Sequence, residues 1–388
     1  MMPTNAQLRR ESRMVNSLAS VLILLPVYAL SQTAPGVPTA PADRWPMYRG
    51  THAMTGVSGS PLPEQPKLLW KVETKSSVDA TAAIADGVVY IGTMDGQFFA
   101  LRLSDGSELW KYANPAGDAI QSSACVGPTF VYYGDAAGTF RALERKTGNL
   151  GWEFKAEAEI ISSPVLVDGR VVFGSYDGFL YCLDSTTGAQ RWRFQTSGPV
   201  HCSPTLINGQ AAVAGCDGFV RLVSIADGNQ THALELGGNI ASTPAAAENS
   251  LFFGTMGNQV VRIDTAKMQT VWEYENPKQQ FPFFGSPALT LDLVLIGGRD
   301  KLLHAIERRT GKGRWTFRTK GRVDSPPVVV GARAYFGSDD GSVYGVDIAT
   351  GNKQWEYVAG APVAAGPAAA AGKLVVGDQD GRIYCFGQ

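Results

Sequence analysis

The sequence predicts an all-β protein built as an eight-bladed ring, a β-propeller of four-stranded antiparallel blades closed by an N-terminal strand that completes the last blade. Three observations carry this reading. Trp70, Trp110, Trp152, Trp192, Trp272, Trp315 and Trp355 recur at spacings of 40, 42, 40, 80, 43 and 40 residues, and the long gap divides evenly at His232. Within each interval, three turn signals separate four short apolar runs. The last unit stops at Gln388 after three runs, and a run without a unit, "KLLWKVET" around Trp70, stands at the other end of the array. A fixed period of about 40 residues with four strands per unit describes a propeller blade.

Each strand has its own signal. The first run opens on a Ser/Pro segment, as in "SSPVLV", "CSPTLI", "STPAAA", "GSPALT" and "SPPVVV". The second is short and apolar, such as "VVFG" or "AYFG", and leads into a turn carrying Asp95, Asp177, Asp217, Asp340 or Asp380 before Gly. Asp-Gly suits tight hairpins because Gly, and to a lesser degree Asp, tolerates positive φ. The third run ends at a turn that is Thr-Gly at 147–148, 187–188, 310–311 and 350–351, and the Trp strand completes the unit. Helical repeats are excluded because every segment is short and rich in β-branched residues and Gly. Closure of the ring removes the sheet edges that invite aggregation.

Composition sets the outer limits. Of 388 residues, 44% are hydrophobic and 18% charged, with 44 Gly and 22 Pro, which suits a turn-rich β core and excludes global disorder. The net charge of −1 and the scattered basic residues give no nucleic-acid footprint. Residues 1–31 read as a signal peptide: Arg9, Arg10 and Arg13 precede an apolar stretch from Leu18 to Leu30, and Ala29 and Ser31 supply a small-residue cleavage site. A stretch of about 13 apolar residues falls short of the roughly 20 that span a bilayer, so no transmembrane span is expected after cleavage. The first cysteine after the stretch is Cys125, so no lipoprotein cysteine is offered, and the chain is expected to be periplasmic or secreted. Residues 32–43 read as a Pro/Ala-rich linker and 44–388 as the propeller. Cys125, Cys182, Cys202, Cys216 and Cys385 form no CxxC or vicinal pair and read mainly as small buried hydrophobes.

A Trp on the fourth strand after a Thr-Gly turn, with "GSYDGFLYCLD" before it, resembles the PQQ-like (quinoprotein-type) propeller repeat over residues 43–388. The opening "DRWPMYRGTHAMTGV" is similar to the segment that often precedes the first blade in that family. The resemblance implies that the seven tryptophans pack between neighbouring blades. His232 departs from the pattern, and Gly257-Asn258 and Asp300-Lys301 replace the Asp-Gly turn in two blades. Two branches carry the repeat. One is the non-enzymatic BamB-like branch, a protein-interaction platform in outer-membrane protein assembly. The other comprises dehydrogenases that hold PQQ and Ca²⁺ in the propeller funnel and oxidise an alcohol or sugar. The adjacent cysteines and long interblade insertions of the second branch are missing here. The expectation is therefore an exported monomeric scaffold without cofactor that binds another envelope protein, with a small PQQ- and calcium-dependent dehydrogenase as the alternative.

Two groups of residues are candidates for a site. Two positions before the central Ser/Thr of each first strand stand Asp79, Gln121, His201 and Asp324, with Ile161, Ala241, Phe284 and Ala364 in the other four units. These four polar groups are expected to converge at one mouth of the channel, where they meet either channel water or a polar ligand. The least repetitive connection, "YENPKQQFPFFG" at 274–285, carries Phe281, Phe283 and Phe284, which either anchor a partner, plug the channel or pack between blades. "RRTGKGR" at 308–314 is a basic turn that faces solvent or an acidic surface. No catalytic residue and no metal ligand set is expected.

Overall fold

The computed structural model describes residues 36–240 and 242–388; the expected signal peptide lies outside the described residues. Eight sheets form, each antiparallel within the blade. Blade 1 runs outward through Ala83–Ala85, Val88–Gly92, Gln97–Arg102 and Glu108–Ala113. The same order recurs in blades 2 to 7, at 125–155, 165–195, 205–235, 245–275, 288–318 and 328–358. Blade 8 takes Ala368–Ala370, Lys373–Gly377 and Arg382–Gly387 from the C-terminus and Lys67–Glu73 from the N-terminal side, with Leu68 opposite Phe386 and Val72 opposite Ile383. The predicted eight-bladed propeller and its closing strand are thus both present. None of the described residues forms a helix long and apolar enough to cross a membrane.

Burial explains the run pattern. Second and third strands are covered on both faces by neighbouring blades, so they read as continuous apolar stretches such as Val171 to Phe173 and Leu180 to Leu183. Outer strands such as Gln190–Gln195 alternate between half-buried and exposed positions. In seven of the eight blades the second strand ends in Gly, with Ala214 in blade 4, and that Gly has a packing reason. A methyl group on Gly174 would stand 2.3 Å from Val200 of the next blade, and Gly134 meets Ile160 and Gly337 meets Val363 in the same way.

The tryptophans join blade to blade. Six of the seven donate the indole N–H to a carbonyl in the third turn of the next blade. Trp70 bonds Leu103 at 3.0 Å, Trp110 bonds Arg145 at 2.9 Å and Trp152 bonds Ser185 at 3.3 Å. Trp192 bonds Ile225 at 3.1 Å, Trp272 bonds Arg308 at 3.0 Å and Trp315 bonds Ile348 at 2.9 Å. The ring lies against the Gly of that turn, so a methyl group on Gly106, Gly148, Gly188, Gly228, Gly311 or Gly351 would come within 2.5–2.8 Å of indole atoms. Trp152 makes the longest of these bonds and is only half-buried, although Phe140 and Tyr132 of its own blade pack against its ring. The absence of a side chain at Gly188 lets the ring lie close, since a methyl group there would stand 2.5 Å from Cε3. Trp355 faces the closure and donates to Pro66 at 2.9 Å. At the one joint without a tryptophan, His232 is exposed and the following turn carries Met268 where the others have Gly. Met268 packs against the core between blades 4 and 5, so both halves of this joint depart from the Trp–Gly pattern.

The Ser/Pro segments have two tasks. In blade 3, Ser162 Oγ accepts the N–H of Gly174 at 3.0 Å and fastens the first strand to the second. The following hydroxyl accepts from the preceding blade: Thr81 N–H donates to Ser123, Ser123 to Ser163, Ser163 to Ser203, Ser203 to Thr243, and Thr243 to Ser286, at 2.9–3.1 Å. The hydroxyl chain stops at Pro326 and Gly366, which have no hydroxyl. Each such bond contributes roughly 1 kcal/mol net.

Residues 40–58 form a strap across one end of the axis that reaches every blade. Trp45 exchanges two backbone bonds with Ile84, and Pro46 accepts from Val126. His52 donates through Nε2 to Leu166 O at 2.7 Å and accepts at its carbonyl from Leu206. Ala53, Thr55 and Gly56 accept from Ala246, Leu289 and Val329. Ser58 Oγ donates to Ala369 O, and Ala42 O accepts from Ala371. Val57–Ser58 also pairs parallel to blade 7. The stretch expected to be a linker through residue 43 is therefore corrected over 36–43. Ala40 is buried, bridges Ser58 and bonds Val57 and Gly59, because these backbone groups would otherwise be buried unpaired.

Candidate functional site at the propeller axis

The strap divides the axis. Tyr48 forms the floor of a cavity of about 180 Å³ that opens at the opposite end of the ring. The wall is the ring of hydroxyls from Thr81, Ser123, Ser163, Ser203, Thr243 and Ser286, and Tyr48 donates to Ser286 Oγ at 3.0 Å. Asp79, Gln121, His201 and Asp324 stand around this one cavity together with Ile161, Phe284 and Ala364, because the 40-residue period brings equivalent positions to the axis. Ala241 lies outside the described residues.

Three of the four polar groups are engaged by the turn of the preceding blade. Arg299 grips Asp324 with Nε and a terminal nitrogen at 2.8–3.2 Å and lies 3.7 Å from the Phe284 ring centroid. Tyr176 hydroxyl pairs with His201 Nδ1 at 2.7 Å, and burial pushes the His201 pKa below its ordinary value, leaving the imidazole neutral at pH 7. Asp79 accepts from Ser77 at 2.7 Å and from Gln379 at 3.4 Å. Asp339, in the turn beside Arg299's blade, has its carboxyl pushed up by burial and by the neighbouring Asp324 charge.

The three phenylalanines do not form one exposed cluster. Phe281 is 46% exposed, whereas Phe283 is 1% exposed. Phe283 occupies the peg position filled elsewhere by Ile120, Ile160, Val200 and Val323, against Gly254 of the preceding blade and edge-on to His304. Phe284 sits at the axial mouth beneath Arg299. The turn aspartates Asp177, Asp217 and Asp340 hold backbone N–H groups. Asp177 accepts from Phe179, from Glu157 and from Tyr181, and Asp340 accepts from Ser342, Lys320 and Tyr344 in the same pattern. His304 is buried with Asp300 at 3.0 Å and Tyr274 at 3.1 Å, and it takes the third-strand place that Tyr181, Arg221 and Tyr344 fill in other blades.

Sequence reasoning missed Arg49. It is 1% exposed at the hub of the strap and donates to the carbonyls of Pro287 and Pro327 at 3.0 and 2.5 Å. No carboxylate among the described residues neutralises it, and burial lowers its pKa to about 10. The only available signal is that Arg49 stands outside the repeat.

PQQ with Ca²⁺ is the group the fold class implies, and the axial residues do not fit it. PQQ is a fused tricyclic quinone with three carboxylates. This cavity is small, closed below by Tyr48, and the Arg299 guanidinium at its mouth already serves Asp324. Among the described residues no group of three or more His, Cys, Asp or Glu is arranged to hold a metal ion.

Blade pattern and axis together define an eight-bladed propeller of the PQQ-like class. More narrowly, the chain belongs to the family described as the β-propeller of the beta-alanine-activating enzyme, whose model matches residues 127–386. Residues 63–162 match the model of the outer membrane protein assembly factor BamB. No curated protein sequence matches the chain. Among solved structures, BamB from Moraxella catarrhalis is similar at a TM-score of 0.71 and 18% identity, over 83% of this chain and 98% of that one. A quinohemoprotein alcohol dehydrogenase from Comamonas testosteroni is similar at 0.77 and 14%, over 89% of this chain and 80% of that one. A europium-containing methanol dehydrogenase gives 0.73 and 13%, over 89% and 98%. At these identities the likeness shows the fold alone.

Proposed function

We propose that the chain is an exported, non-enzymatic binding scaffold of the cell envelope, BamB-like in using a propeller face to hold another envelope protein. One observation carries this reading most directly: at the axial mouth Asp324, His201 and Asp79 are each paired to the preceding blade. Groups so engaged present a fixed polar surface at the mouth. The mouth offers a partner a stacked Arg299–Phe284 pair, with Phe281 exposed on the same connection. Stacked arginines and aromatics are the residue types that anchor protein interfaces.

The test has two arms. Affinity capture from an envelope extract with wild-type protein and with Arg299→Ala should recover a defined partner that the variant loses. Equal recovery by both removes the mouth as the platform. PQQ and Ca²⁺ titration should show no binding at micromolar quinone; a bound quinone spectrum with dye-linked alcohol or sugar oxidation would replace the scaffold reading with the dehydrogenase one.

A further inference from the structure

We propose that the axial cavity binds a small zwitterion, a carboxylate and an ammonium joined by a short aliphatic chain, with the carboxylate deep against the hydroxyl ring and the ammonium at the mouth. Such a guest lies inside the ring and is independent of the scaffold reading, which concerns the face around the mouth. The depth of the cavity is a converging set of donors. Thr81, Ser123, Ser163, Ser203, Thr243 and Ser286 line it and are each only 3–6% exposed. All but Thr81 already accept the backbone N–H of the preceding blade, and Ser286 accepts the Tyr48 hydroxyl as well. The O–H protons of this ring meet no acceptor among the described residues. Donors so buried cost free energy until an acceptor reaches them, and a carboxylate brings about four acceptor sites on its two oxygens.

Charge is graded along the same axis. Arg49 stands behind the ring, where it holds the carbonyls of Pro287 and Pro327, the residues next to Ser286 and Pro326 of the cavity wall. Its Nε is buried without a partner, and among the described residues no carboxylate neutralises it. A charge so buried acts through a low dielectric and reaches further than it would in water. The mouth has the opposite sign. Of the two carboxylates that line the cavity, Asp324 is neutralised by Arg299 at 2.8 Å, whereas Asp79 is held only by Ser77 and Gln379. His201 is neutral there, Asp339 and Arg322 behind the mouth offset each other, and the exposed Glu159 near Tyr176 adds only to the negative side. Arg49 and Asp79 thus cancel in sum while standing at opposite ends. A lone anion would have to pass Asp79, and a lone cation would face Arg49 and the donors. A guest with both signs, small enough for about 180 Å³, satisfies both ends.

Isothermal titration calorimetry of the whole protein tests this with 4-aminobutyrate, butyrate and butylamine. The zwitterion should bind at least about tenfold more tightly than either singly charged analogue. Thr81→Val removes one unspent O–H and no side-chain hydrogen bond within the protein. It should weaken 4-aminobutyrate by about threefold or more without moving the thermal midpoint. Asp79→Asn should weaken 4-aminobutyrate by about fivefold or more and strengthen butyrate, opposite shifts that a merely structural role does not produce. Butyrate or butylamine binding as tightly as 4-aminobutyrate overturns the proposal, as does an unchanged affinity in Thr81→Val. So do shifts of the same sign for both ligands in Asp79→Asn, or no binding of 4-aminobutyrate at about 10 mM.

Discussion

Two glycines of blade 4 allow the interblade joint to be weighed directly. Gly209 has φ +74° and nothing within 4 Å of where a Cβ would stand. Gly228 has φ +75°, and its Cβ would stand 2.7 Å from Trp192 Cδ2 and 2.8 Å from Cγ and Cε3. Alanine in the left-handed region costs roughly 1–2 kcal/mol at either position. Only at Gly228 must the indole also yield, and Trp192 is tied to Ile225 O at 3.1 Å. Overpacking of this kind costs about 1–3 kcal/mol. Gly209→Ala should therefore lose roughly 1–2 kcal/mol and Gly228→Ala roughly 2–5 kcal/mol. Urea unfolding followed by tryptophan fluorescence reads the difference as a midpoint shift at unchanged slope, and thermal midpoints should differ by at least about 2 °C. Equal losses in the two variants would refute the indole–glycine contact as a source of stability and leave only backbone strain.

Three further outcomes follow from the same geometry. His232→Trp and Met268→Gly should each fail to stabilise alone, whereas the double variant should show a coupling of at least about 1 kcal/mol, because the indole needs the glycine; additive effects would deny that the two positions share a joint. Native protein should react at one thiol, Cys216, since burial raises the pKa of all five but only Cys216 is half-exposed while Cys125, Cys182, Cys202 and Cys385 are buried. Rapid labelling of a second cysteine by iodoacetamide before denaturation would count against this. Despite burial, which raises it, the Asp300 pKa is lowered overall by His304 and Asn276, so its stabilisation is present above the ordinary carboxylate value near 4 and fades as pH falls below it. Asp300→Asn should lower the midpoint at pH 6 and flatten the acid limb; an unchanged acid limb would mean that the pair has no linkage to folding.

Whatever repeats was legible before the fold was known. Tryptophan spacing gave the blade count, Asp-Gly turns gave the hairpins, and a constant offset from the central Ser/Thr brought Asp79, Gln121, His201 and Asp324 to one cavity. What does not repeat was not legible. Phe283 and Phe284 are adjacent, yet one is a core peg and the other lines the mouth, since neighbouring residues on an extended chain face opposite ways. Met268 drew no notice because its meaning depends on His232, 36 residues away and in another blade. Arg49 and the strap have no counterpart within the chain, so periodicity offered no position for them.

The strap also constrains the order of assembly. A chain is made from its N-terminus, yet residues 40–58 find their last partners at Ala369 and Ala371, and Lys67–Glu73 finds its sheet at Arg382–Gly387. Blades 1 to 7 can form in turn from contiguous sequence. The strap can fasten to blades 1 to 7 as each appears, whereas the bonds of Ser58 and Ala42 to blade 8, and the whole sheet of Lys67–Glu73, wait for residues 369–387. A protein truncated near residue 369 therefore loses its last blade and strands Lys67–Glu73 without a sheet, and such a fragment would present an unclosed ring to proteases.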